Sequence, residues 1–238
     1  MAEEPDQEKS VDTEFTAKSN MDIFECLATR RSIRKFTSSD IPMEMLGTIL
    51  DAGRFAPSSG NIQNWRFVIV KNRETIAKIA EASMQQLWIN QAPVVVVVCA
   101  ETEKISQFYG VRGERLYLIQ NCAAAIENML LAAHAVGLAS CWVGAFDENA
   151  LRRILNIPED IRPQAILPIG FPDEIVPSPM HYTLEAVCFF ERYGSKIANL
   201  ERVLQNPDVF GKIQGAVKTT IEAGKDIAEK AKGKIIKR

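Results

Sequence analysis

The chain of 238 residues has two histidines, His134 and His181, too few for a histidine-rich metal centre. Its five cysteines, Cys26, Cys99, Cys122, Cys141 and Cys188, contain no C-x-x-C spacing. An odd count among apolar and small neighbours fits reduced, buried thiols of a cytoplasmic protein, not a disulfide framework. Positive charge is not in surplus. With 28 Lys and Arg against 30 Asp and Glu, the net charge is −2, which argues against a dedicated nucleic-acid binder. The longest apolar run, residues 93–100, is too short to cross a bilayer and reads as a buried strand. The acidic, polar N-terminus does not read as a secretory signal. Also missing are G-x-x-x-x-G-K-[ST], G-x-G-x-x-G and G-x-S-x-G. Neither a P-loop, nor a Rossmann fingerprint, nor a hydrolase elbow can be invoked.

What is present is ordinary globular material, 47% hydrophobic and 24% charged, enough for a sizeable core. Residues 1–20 carry six acids against Lys9 and Lys18, with Phe15 as their one aromatic, and read as a disordered acidic tail. Order is expected from Met21. Ile23, Phe24 and Leu27 form a short helical stripe, and a second helix starts around Pro42. Strands are expected at 65–71, 94–99, 140–143 and 163–171, with another possible at 183–190. Helices are expected at 73–88 and 114–136, the second apolar nearly all round and ended by Gly137, and after Asp147 as an N-cap. The alternation is that of an α/β or α+β domain with a mixed sheet. Residues 195–238 read as a basic helical extension, with eight Lys or Arg against three acids from Gly211 onward.

Three segments could carry chemistry. Arg30-Arg31-Ser32-Ile33-Arg34-Lys35 gathers four bases at a helix terminus. They could hold a phosphate, or be a solvated charge run. The loop 57–65, Pro-Ser-Ser-Gly-Asn-Ile-Gln-Asn-Trp, offers neutral donors and acceptors suited to a flat polar heterocycle, or is a surface turn. Trp142-Val-Gly-Ala-Phe-Asp147 sits at a strand-to-helix junction where Gly144 permits close backbone approach.

In this order and spacing, the three segments, together with the alanine-rich stretch ending at Leu138 and Pro168-Ile-Gly-Phe-Pro172, resemble the nitroreductase family of FMN-dependent oxidoreductases. The resemblance runs from about Met21 to Gly194. It implies an α+β fold with a mixed sheet flanked by helices, in an intertwined homodimer with two FMN at the interface. It implies that Arg30 binds the phosphate, with Arg31 and Ser32 beside the ribityl chain. Arg34 would stand near flavin N1 and O2, where a cation favours the reduced flavin. Pro57, Ser58, Ser59, Asn61 and Gln63 would reach the flavin from the second subunit, and the backbone of Gly144 and Ala145 would lie near N5. NAD(P)H would deliver hydride by a ping-pong route to an electron-poor acceptor such as a nitroaromatic or quinone. No side chain is required as a catalytic acid, base or metal ligand. The chain departs from the family at 178–183, Ser-Pro-Met-His-Tyr-Thr, where a basic pair commonly helps hold the phosphate. That shifts the load to Arg30, with His181 as a possible helper, while His134 reads as a satisfied core residue. The alternatives are a same-fold dehalogenase or flavin-consuming synthase, and a non-catalytic flavin-binding or membrane-surface protein.

Overall fold

A computed structural model of the chain describes residues 21–199 and the isolated positions 211, 213, 215 and 218. The acidic stretch 1–20 and most of the 195–238 extension therefore lie outside the described residues.

The sheet has four strands: β1 (Trp65–Val70), β2 (Val94–Glu101), β3 (Ala139–Ser140) and β4 (Ile161–Gly170), in the order β1-β2-β4-β3. All three pairings are antiparallel. The parallel component is a bridge between Ser32 and Ser140. Because β2 is covered on both faces, its run of valines needs no polar alternation. Val94, Val96, Val98 and Ala100 enter one core, and Val95, Val97 and Cys99 enter the other. Pro163 is tolerated in β4 because a register shift opposite Val98 and Cys99 bulges the strand there.

Helices α2 (Met43–Arg54) and α5 (Leu118–Ala135) cover the first face, and α3 (Arg73–Ala82) and α6 (Glu148–Leu155) the second. Short α1 (Ile23–Thr29) lies along α5, with Cys26 Sγ 3.3 Å from the carbonyl of Leu131. Asp147 caps α6 by accepting from the amides of Asn149 and Ala150, and Gly137 turns the chain after α5 at φ 82°.

Three expectations require correction. The helix at 73–88 ends at Ala82, and a separate turn, Leu87–Gln91, follows. The long apolar helix begins at Leu118, not Glu114. A wide π turn, Gly113–Tyr117, joins it to an additional helix α4 (Thr102–Arg112). Glycine is required at 113, where a Cβ would lie 2.7 Å from the carbonyl oxygen of Ile105. By length and composition the run from Thr102 to Ala135 could span a membrane. Gly110 breaks it at φ 53° and ψ −145°, however, and α5 packs its Leu118, Ile126 and Met129 into the core. Finally, residues 183–190 form no strand. The segment pairs with nothing in the sheet, and Leu184–Val187 makes one helical turn, α7. A strand without a neighbour leaves its amides unsatisfied, whereas a helical turn bonds locally.

Candidate functional site

The arginine segment leaves α1 and is fastened at both ends. The Ile33 amide donates to Ser140 O (3.1 Å), Thr37 N to Phe171 O (3.0 Å) and Asp173 N to Lys35 O (2.9 Å). Ser32 and Phe36 form bridges with Ser140 and Pro172. The segment thus runs beside β3 and the exit of β4 as an irregular extra edge.

At its start lies a cavity of about 280 Å³. Its wall includes Arg30, Arg31, His134, Ser140 and Glu174, among mainly apolar neighbours. Arg30 stands 3.8 Å from Glu127 on α5. Arg31 directs Nη1 to the carbonyls of Ala28 and Arg30, at 2.8 and 2.6 Å. Its Nε and Nη2 are buried and have no partner. These two atoms are one edge of the guanidinium, the fork that grips an oxyanion in bidentate fashion. Among the described residues no carboxylate pairs with Arg31. Burial, and next the neighbouring Arg30 charge, push its pKa down. A half-buried cation held next to another cation, with a buried donor edge that has no acceptor, calls for an anion.

His134 is bonded as expected of a core histidine, but it also forms part of the cavity wall. The Thr29 hydroxyl donates to Glu25 O at 2.7 Å, so its oxygen accepts from His134 Nε2 at 2.8 Å. Neutral His134 therefore carries its proton on Nε2. Burial, then Arg30 and Arg31, lower its pKa from the ordinary 6.5, with Glu25 opposing. The unfolded chain then binds a proton more readily than the folded one, so folding stability falls as pH drops below 6.5. His134→Gln should flatten this part of the melting-temperature profile. A profile identical to the parent's between pH 7 and pH 5 would contradict the assignment. His181, by contrast, is exposed and does not line the cavity.

Further along, the Arg34 guanidinium lies over the Trp88 ring, 5.8 Å from its centroid. Trp88 belongs to the turn after α3, and Gln86 just before that turn donates from Nε2 to Ala145 O at 3.2 Å. One turn thus supports both Arg34 and the Gly144–Ala145 junction. A Cβ at Gly144 would meet no atom closer than Trp142 Nε1, at 3.8 Å. The chain's own packing does not call for glycine there.

The loop holding Pro57, Ser58, Ser59, Asn61 and Gln63 is rigidly built. Gly60, Asn61 and Gln63 all adopt positive φ, at 56°, 55° and 51°, a conformation disfavoured for glutamine. Gln63 is held through its amide to Ser58 Oγ (3.0 Å) and its side chain to Asn61 Oδ1 (2.9 Å). The loop is moored by Asn121, whose Oδ1 accepts from Ser59 N and Oγ at 3.0 and 3.2 Å. Asn121 Nδ2 donates to buried Asn64 at 2.7 Å. Sequence reading missed Asn121, although a polar amide inside an apolar helix was the available signal. A single chain does not bring this loop to the arginines. Asn121 and His134 are 13 residues apart on α5, about 20 Å along the axis.

Comparison with known proteins adds the following. The family model described as the nitroreductase family matches residues 27–107 and 84–171. A protein of Methanothermobacter thermautotrophicus, provisionally named an NADH dehydrogenase/NAD(P)H nitroreductase, is 37% identical over 162 residues, covering 66% of this chain and 80% of its own. The FMN reductase [NAD(P)H] of Bacillus subtilis is 28% identical over 185 residues, covering 72% of this chain and 74% of its own. Among solved structures, an FMN-dependent nitroreductase of Clostridium difficile R20291 aligns with a TM-score of 0.62 at 25% identity. It covers 71% of this chain and 99% of its own.

Proposed function

The chain belongs to the nitroreductase family, and on that premise we propose that it is an FMN-dependent NAD(P)H oxidoreductase whose phosphate seat is the Arg30–Arg31 cavity. The observation that carries this reading is the Arg31 fork. A buried guanidinium edge with two donors and no acceptor suits the terminal phosphate of FMN, which offers several oxygens to such a fork. Arg30 adds a second cation at the same cavity, so the seat does not need the basic pair absent from 178–183.

Ser32 and Arg34 continue from the phosphate toward the ribityl chain and the ring. Gly144 and Ala145 offer bare backbone to the flavin. Pro57, Ser58, Ser59, Asn61 and Gln63 come from a second copy of the chain, because their own copy holds them at the other end of α5. Exposed apolar side chains on α1 (Ile23, Leu27) and in the C-terminal arm (Met180, Tyr182, Val187, Tyr193) supply surface for that copy to cover.

FMN held by these residues would supply the redox chemistry, linking oxidation of NADH or NADPH to reduction of an electron-poor acceptor such as a nitroaromatic or quinone. The residues of the chain bind, orient and tune. Arg34 places a cation where charge builds up on reduction. Cys99 and Cys122 take no part: burial pushes both thiols up to about 12, which keeps them protonated.

The test begins with the absorption spectrum and light scattering of the purified protein, followed by oxidation of NADH and NADPH with a nitroaromatic or quinone. One FMN per chain, a dimeric mass and parallel-line kinetics are expected. A protein that binds no flavin on mixing with FMN overturns the reading, as does an FMN-loaded one that oxidises neither nicotinamide. A monomer with a full complement of FMN overturns the shared site.

A further inference from the structure

Glu174 is the one acid on the cavity wall, yet it is not paired with either arginine there. Its Oε1 accepts instead from two backbone amides, Arg34 N at 2.6 Å and Lys35 N at 3.1 Å. These amides lie between the two, Ile33 N and Thr37 N, that the segment donates to backbone carbonyls, of Ser140 on one side and Phe171 on the other. A carboxylate here does the work that a neighbouring strand's carbonyls would do: Asp173 N reaches back to the Lys35 carbonyl, and the next residue's side chain, not a main-chain carbonyl, accepts from the Arg34 and Lys35 amides.

We propose that Glu174 is a positioning residue for the flavin site, its carboxylate clamping the Arg34 and Lys35 amides and so setting where the Arg34 guanidinium stands. The inference rests on the reading that Arg34 faces the flavin ring. Trp88 stabilises the tip of the Arg34 side chain by its ring face, and Glu174 fixes its root. Between the two anchors the side chain keeps few rotamers, which is what a preorganised charge requires. Arg30 and Arg31 are held separately, through Cys26 O, Ala28 O and Arg30 O. Losing the clamp should therefore disturb the ring end of the site without releasing the arginines at the phosphate end.

Two variants separate clamp from charge. Glu174→Gln keeps an oxygen that can accept both amides but removes the negative charge, whereas Glu174→Ala removes both. In the flavin-free protein, Glu174→Ala should speed hydrogen exchange of the Arg34 and Lys35 amides at least tenfold, and Glu174→Gln should restore protection to within about threefold of the parent. In the flavin-loaded protein, Glu174→Ala should lower the two-electron reduction potential, because the cation is no longer held. Glu174→Gln should leave it unchanged or raise it, because a nearby negative charge is gone. Because both variants remove a carboxylate from the wall of the phosphate cavity, both should raise the ratio of FMN to riboflavin affinity alike.

Unchanged exchange in Glu174→Ala, or no recovery in Glu174→Gln, overturns the clamp. Equal potential shifts of the same sign in both variants also overturn it, since charge alone would then explain them. A parent protein that binds neither FMN nor riboflavin overturns the functional reading instead, and the exchange measurement still decides the clamp.

Discussion

Replacing Arg31 with methionine should weaken FMN binding about ten- to hundredfold while leaving the flavin-free protein at least as stable as before. The two halves of this result have one cause. Arg31 is a half-buried cation with no carboxylate partner among the described residues, and its buried Nε and Nη2 have no acceptor. In the flavin-free chain it is a liability, since desolvated donors left without an acceptor oppose folding. Methionine fills similar volume without that penalty, although it forfeits the bonds from Nη1 to Ala28 O and Arg30 O. With the phosphate in place the liability becomes the main contact. A hydrogen bond to a charged group contributes about 1.5–3 kcal/mol, and each 1.4 kcal/mol is about tenfold in affinity.

Riboflavin has no phosphate and should bind Arg31→Met and the parent about equally. Arg31→Lys keeps the charge but cannot form the fork, so it should fall between the two. Arg30→Ala should also weaken FMN selectively, by loss of the second cation. Because a ligand of the folded state raises stability by RT ln(1 + [L]/Kd), the FMN-induced rise in melting temperature should shrink in Arg31→Met while its flavin-free value does not fall. If Arg31→Met binds FMN as tightly as the parent, the phosphate lies elsewhere and the cavity is not its seat.

The parts of this site that sequence reading found are those with a local signature. Four bases at a helix end, a loop of small polar residues, and a glycine at a strand-to-helix junction are each visible within ten residues. The buried strand β2 was equally legible, because a strand covered on both faces shows an unbroken apolar run. Hidden were the contacts that set the geometry. Glu174 meets Arg34 across 140 positions, and Gln86 meets Ala145 across 59. A polar contact between distant residues leaves no period and no motif. The break ahead of α5 escaped for a related reason: Gly110 turns the backbone to φ 53° there, and the close approach of Gly113 to the Ile105 carbonyl oxygen that follows is not carried by composition. The segment 183–190 alternates as readily as it coils. Its fate as a helical turn was decided by the absence of a strand to pair with.

The Asn121 mooring makes the second large effect. Asn121→Ala should lower the melting temperature by about 5–15 °C and free the 57–63 loop. Asn121 is buried, and it makes three hydrogen bonds, two to Ser59 and one to Asn64. Asn64 is fully buried, and its Nδ2 already lacks a partner. Removing Asn121 would leave both polar ends of that amide unsatisfied. Each buried unsatisfied group costs about 1–3 kcal/mol, whereas half-buried Ser59 can turn to water. A loss of about 2–4 kcal/mol follows, at about 2–4 °C per kcal/mol for a chain of this size.

Stability alone would not identify the mooring, so the loop must be followed as well. Hydrogen exchange across residues 59–63 should accelerate in Asn121→Ala, because the Ser59 amide loses its acceptor and the strained φ of Gln63 is no longer imposed from below. Asn64→Ala is the control: it removes the orphaned Nδ2 along with its own amide and leaves both bonds from Ser59 to Asn121 in place. It should cost less stability and leave exchange in the loop close to that of the parent. If the two variants accelerate loop exchange equally, Asn121 is one more core residue and the loop is held by its own backbone.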